Sequence, residues 1–166
     1  LIQQRLAVSM SVAGLALLIG VVVGVSLGIV AALNQGRWID RAITGVTTVI
    51  STLPAFVVAI GLILIFSLWL RWLPSAGYVS PSESFSVWLK LITMPAIALS
   101  VDVAAELARQ LRTGLVTTLS ENYVVGAIVR GLSWPRILFV HVLRNGAGPA
   151  LSSLGMKIPT LLGGAA

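Results

Sequence analysis

The sequence holds no cysteine, one histidine and five acidic residues in 166 positions. Without thiols there can be no disulfide, thiolate metal site or cysteine nucleophile. The lone His141 has no acidic neighbour in sequence and no His-Glu-x-x-His partner, so a helix-end or docking contact near Arg144 is a better reading than catalysis. No Gly-x-x-x-x-Gly-Lys-Ser/Thr phosphate loop occurs, so the chain is expected neither to bind nor to hydrolyse ATP itself. Cofactors are expected to be absent. Charged residues make up only 10% of the chain, too few to coat a water-soluble globule of this length.

What is present is apolar: 57% of residues are hydrophobic and the mean hydropathy is +1.01. The uncharged runs Leu6 to Gly36 and Ala42 to Leu70 each exceed the roughly 20 residues that carry a helix across the hydrocarbon core of a bilayer. A secretory signal does not account for the first run, because a signal core is roughly 7 to 15 residues long. The fold expected is an all-α polytopic membrane bundle in a single domain. Its four spans are about Met10 to Leu33, Ile43 to Leu70 with Pro54 inside, Leu89 to Ala108, and Gly146 to Ala166. The chain starts at Leu1 rather than Met and stops at Ala166 without a polar flank, which reads as a piece of a longer protein.

The net charge of +6 is explained by membrane orientation, not by nucleic acid. Alternation places the loops Asn34 to Thr44 and Arg109 to Asn145 on one face. They carry Arg37, Arg41, Arg109, Arg112, Arg130, Arg136 and Arg144, against Arg5, Arg71 and Lys90 on the other face, so the first face is cytoplasmic. Trp69, Trp72, Tyr78 and Trp88 then gather at the outer headgroup level. In the first span Ala16, Gly20, Gly24, Gly28 and Ala32 recur every fourth position and leave a smooth face on which another helix can pack closely.

The long loop 109–145 is the informative segment. Ser120 reads as a helix N-cap with Glu121 in the first turn, Tyr123 to Arg130 as a short apolar helix, and Gly131 as a left-handed stop. Ser133 starts a second short helix with Pro135 in its first turn and Arg144 near its end. Together they form a knob with Tyr123, Val124, Ile128, Leu132, Ile137 and Phe139 as apolar anchors for a partner's groove. An amphipathic element lying on the lipid surface ranks close behind.

The stretch Tyr123 to Ser133, then His141, Arg144, Asn145 and Pro149, resembles the EAA loop of binding-protein-dependent ABC transporter permeases. Leu107 to Arg112, Trp72 to Tyr78 and Leu53 to Phe56 are similar to the dipeptide, oligopeptide and nickel branch of that group. The resemblance implies a type I importer permease in the bacterial inner membrane, normally with a further span on each side of this region, hence six in the whole subunit. It also implies three partners: a homologous second permease subunit forming the pore, cytoplasmic ATP-binding subunits, and an extracytoplasmic substrate-binding protein. By resemblance Gly131 is the loop glycine, Gly126 and Ala127 fill its small positions, and Tyr123, Arg130, His141, Arg144, Asn145 and Pro149 belong to the same ATPase-coupling segment. Val125 stands where the wider group often has Glu, Ile128 where the peptide branch often has Arg, and Asn122 where it often has Asp. The likeness therefore carries a docking role without any particular salt bridge.

Asp102 and Lys157 are the two ionisable residues expected well inside the bilayer, roughly 10 Å and 18 Å from the cytoplasmic ends of their spans. They either pair across two spans, line the translocation path, or, for Asp102, pair with Arg109 or Arg112 at the interface. An intramembrane acid hydrolase is disfavoured, since Glu106 lies one turn from Asp102 on the same helix and no other span carries an acid. The leading alternatives to a permease are a non-transporting membrane scaffold and a secondary transporter, which would need a richer coupling-ion site.

Overall fold

The computed structural model describes residues 2–74, 77, 79 and 83–164, excepting the side chains of 2–7, 162 and 164. Every regular element among the described residues is helical: α1 (Ile2–Leu33), α2 (Trp38–Thr52), α3 (Ala55–Leu62) continued in π-helical register by Ile63–Trp69, α4 (Phe85–Leu119), α5 (Asn122–Val129), α6 (Trp134–Arg136), a π-helical stretch Ile137–Val142, α7 (Leu143–Gly146) and α8 (Gly148–Gly164). The expected Tyr78 and the last two residues of the fourth span lie outside the described residues.

α4 is the axis of the fold, and α1 covers it along most of its length. The small residues of α1 explain why. A Cβ at Gly20 would meet Val103 at 2.7 Å, one at Gly24 the Ala104 carbonyl oxygen at 2.8 Å, and one at Gly28 the Ala108 carbonyl oxygen at 3.0 Å. At Gly24 and Gly28 backbone faces backbone, and at Gly20 the Val103 side chain packs directly on the α1 backbone, as the four-residue spacing of small residues allows. Because higher positions in α1 meet higher positions in α4, the two helices run parallel. Residues 34–84 must therefore return the chain across the bundle, and the ends of α1 and α4 near Leu33 and Leu119 share one face.

That return is where the structure departs from expectation. By length and composition Val8–Leu33 and Phe85–Leu119 can each cross a membrane, whereas Trp38–Thr52 and Ala55–Trp69 qualify only together and are bent by 100°. The expected span 43–70 is thus not one continuous helix. Pro54 disfavours the helical conformation for the residue before it, and here Leu53 (φ −85°, ψ 124°) and Pro54 (φ −61°, ψ 143°) are both extended. Two further boundaries move. The third helix does not stop at Ala108, where the span is expected to end: α4 runs on to Leu119, taking the first third of the expected loop with it. The fourth is represented by α8, which begins at Gly148 after α7 ends at Gly146.

Two apolar clusters hold the bundle. One, around Val12, Ala16, Ile92, Val103 and Leu161, joins α1, α4 and α8. The other, around Leu107, Leu111, Leu115, Val124, Ile137 and Val142, seats the α5–α7 region on the end of α4. Conversely, many large apolar side chains such as Leu18, Val22, Val49, Phe56, Ile60 and Leu64 are exposed, the reverse of a water-soluble surface and the pattern of helices meant for lipid or protein surroundings.

Candidate coupling knob and charged helix face

α5 begins at Asn122, with Glu121 at the N-cap position in extended backbone and making no side-chain cap bond. Ser120 is not its N-cap; it ends α4, donating its hydroxyl to the Thr117 carbonyl at 2.7 Å. The stop of α5 follows the expected left-handed form. Gly131 has φ +74°, Gly131 N–H donates to the Ile128 carbonyl at 2.9 Å, and Leu132 N–H to the Ala127 carbonyl at 3.2 Å. This reciprocal pair satisfies two carbonyls that a helix end otherwise leaves open. Ser133 stands at the N-cap position of α6 without a side-chain cap bond, and Pro135 lies in its first turn.

The knob is split into an inward and an outward side. Val124 and Ala127, one turn apart, are buried together with Ile137, Leu138 and Val142. Two of the six expected anchors, Val124 and Ile137, are therefore consumed by the protein's own core and are not available to a partner. Leu132 is half-buried, and Tyr123, Ile128 and Phe139 are exposed, as are Val125, Val129 and Trp134, which sequence reasoning passed over. The opposite phase of α5 could have revealed them: with Val124 and Ala127 inward, Val125 and Val129 face out. Asn145 Nδ2 donates to the Tyr123 hydroxyl at 3.0 Å, tying the start of α5 to α7. Arg130, Arg144 and Pro149 are exposed, His141 and Gly126 are half-buried, and Pro149 lies in the first turn of α8.

A second feature runs along one face of α4, where Asp102, Glu106 and Arg109 follow at helical spacing and Arg112 lies one turn beyond. Lys157 of α8 donates to Asp102. Arg109 donates to Glu106, to Ser51 and, at 3.1 Å, to the Thr47 carbonyl of α2. Gln110 adds a 2.9 Å bond to Glu106. Arg112 grips Asp40 of α2 with two parallel bonds, the Nη2 one at 2.6 Å. Asp102 therefore pairs with neither Arg109 nor Arg112, since both are engaged elsewhere.

Asp40 was not among the expected site residues. It is 3% exposed and also accepts from the Gly36 N–H at 2.9 Å, so it fixes the α1–α2 turn and the start of α2 at once. The signal was present: an acid in the first turn of a helix that follows a Gly-containing turn suits the N-terminal dipole. Of the seven arginines expected on this face, Arg109 and Arg112 are internal clasps and Arg37, Arg41, Arg130, Arg136 and Arg144 are exposed. Among the described residues no group of three His, Asp or Glu side chains could hold a metal ion.

This face and knob lie within a stretch, residues 24–166, that matches the family model described as the binding-protein-dependent transport system inner membrane component. The chain belongs to that family. This permease-family chain is 35% identical over 164 residues to a probable peptide ABC transporter permease protein of Sinorhizobium fredii, covering 99% of the chain and 52% of the relative. It is 33% identical over 163 residues to a putative peptide transport system permease protein of Brucella abortus (98% and 52%). To the oligopeptide transport system permease protein of Salmonella typhimurium it is 35% identical over 156 residues (93% and 49%). The chain spans about half the length of the curated relatives it matches. Family and helices together make it a multi-pass component of the inner membrane.

Proposed function

We propose that this chain is the core of a permease subunit of an ATP-driven importer that carries short peptides. In this reading a homologous subunit completes the pore, a soluble extracytoplasmic protein delivers the solute, and separate cytoplasmic subunits bind and hydrolyse ATP. The observation that carries the proposal is the family match over residues 24–166, which includes both α4 and the knob. The names of the relatives supply the solute class.

The mechanical argument starts from the knob's two sides. Tyr123, Ile128, Val129 and Phe139 are exposed and apolar, suited to a groove on the ATP-binding subunit. Val124, Ile137 and Val142 are packed onto Leu107, Leu111 and Leu115 of α4. A close-packed interior transmits displacement and does not absorb it, so movement of a docked subunit reaches α4, and α4 carries the charged face. Gly126, Ala127, Arg130, Gly131, His141, Arg144, Asn145 and Pro149 are assigned to shaping or flanking the docking surface.

The test is co-purification of the full-length permease with its ATP-binding subunits. Val129, 81% exposed, is replaced by Asp, and the bound subunits and substrate-stimulated ATP hydrolysis are measured. Loss of the ATP-binding subunit from a permease that still melts at the parental temperature is expected. An unchanged complex with unchanged hydrolysis overturns the docking role. A parent that never binds an ATP-binding subunit overturns the importer reading in favour of a scaffold or secondary transporter.

A further inference from the structure

The three ion pairs on α4 differ in how firmly they are built in. Asp40 is buried and its two carboxylate oxygens are taken by Arg112, Gly36 and Thr44, so opening that pair would strand a desolvated charge. Glu106 is held from two sides by Arg109 and Gln110. The Asp102–Lys157 pair is the open one: the side chains are 46% and 27% exposed, and Lys157 engages one carboxylate oxygen.

Nor is that pair needed to bring its helices together. On one side of it α4 and the α7–α8 strand of chain meet at Gly114 and Gly146. On the other, Ile92 and Ala96 of α4 share an apolar cluster with Leu161 of α8. Two apolar anchors thus fix the helices, and a loosely held pair of opposite charges sits between them, in spans where each charge is expensive.

We infer that the Asp102–Lys157 pair is a transit site for the charged ends of a peptide. The pair opens, Asp102 takes the α-ammonium and Lys157 the α-carboxylate, and it closes again when the solute has left. A zwitterion matches the site in charge on both sides, so the exchange leaves no ion unpaired and no net charge buried at any stage. A solute carrying charge of one sign would leave one member of the pair orphaned. The inference rests on the permease reading, and its test separates the two.

The full-length transporter, reconstituted in liposomes with its partner subunits and binding protein, is assayed for ATP-driven uptake of tri-alanine. The variants are Asp102→Asn, Lys157→Gln and the double substitution. If the charges serve transit, the double variant keeps its subunits and its hydrolysis of ATP, while uptake falls about tenfold or more and is no better than in the single variants. If the pair were merely structural, neutralising both partners would relieve the orphaned charge left by either single change. Recovery of uptake in the double variant to within about twofold of the parent therefore overturns the transit site. Failure of the parent itself to take up tri-alanine or hydrolyse ATP overturns the permease reading instead.

Discussion

Gly114 of α4 and Gly146 of α7 touch through their backbones. A Cβ at Gly146 would lie 2.8 Å from the Gly114 carbonyl oxygen and 3.0 Å from Thr118 Oγ1, and one at Gly114 would collide with the Gly146 carbonyl. This contact sets the angle at which the chain leaves the knob and enters α8. Around Gly114 every close neighbour is backbone, so the clash there cannot be relieved by a rotamer change.

Gly114→Ala is accordingly expected to cost about 1–3 kcal/mol, the range of an overpacked core. Gly45→Ala is the control, since a Cβ at Gly45 meets nothing within 4 Å and alanine there gains up to about 1 kcal/mol of helix propensity. Thermal melting of the detergent-solubilised full-length protein reads both. Equal melting temperatures for the two variants would show that the helices are not locked at this crossing.

The Arg112–Asp40 clasp predicts a second, separate behaviour. Asp40→Asn leaves Arg112 facing a neutral amide in a largely buried setting, at a cost of about 2–4 kcal/mol. Arg112→Gln should cost a similar amount, and the double variant less than the sum of the two, because residues in direct contact do not add. Additive losses in the melting temperatures would mean that the two residues act independently. Limited proteolysis supplies a local readout, with cleavage near Gly36 expected to rise in both single variants as α2 loosens.

How much of this was legible beforehand follows the range of the forces involved. Helical type, the close face of α1 and the stop at Gly131 rest on spacing and on single-residue backbone preferences, which a sequence displays directly. The break at Leu53–Pro54 was in view but underweighted: in a bundle a proline can be accommodated inside a helix, and only the surrounding packing decides between a kink and a 100° turn. Partner choice was the least visible part. Arg109 and Arg112 read as loop charges in a sequence whose apolar run ends at Ala108. Once α4 continues to Leu119, both arginines lie beside α2 and find Ser51, Thr47 and Asp40 across 58 to 72 residues of sequence. The inward turn of Val124 and Ile137 was hidden for the same reason, since the surface that buries them is the extension of α4.

Gly131 separates backbone geometry from bulk at the proposed docking site. Its φ of +74° belongs to the left-handed region, yet a Cβ there meets nothing within 4 Å. Size alone should therefore be tolerated, and what matters is whether the substituent accepts that backbone. Asparagine does so at little cost, whereas a β-branched residue is strained by about 1–2 kcal/mol or more. Gly131→Asn is expected to retain the ATP-binding subunit and substrate-stimulated hydrolysis, and Gly131→Val to lose much of both, because unwinding the Leu132-to-Ala127 bond re-aims α6 relative to α5. Circular dichroism checks that overall helix content survives in each. Equal coupling in the two variants would mean that the turn's handedness does not set the docking surface, and equal loss would point to contact of the partner with the Gly131 backbone itself.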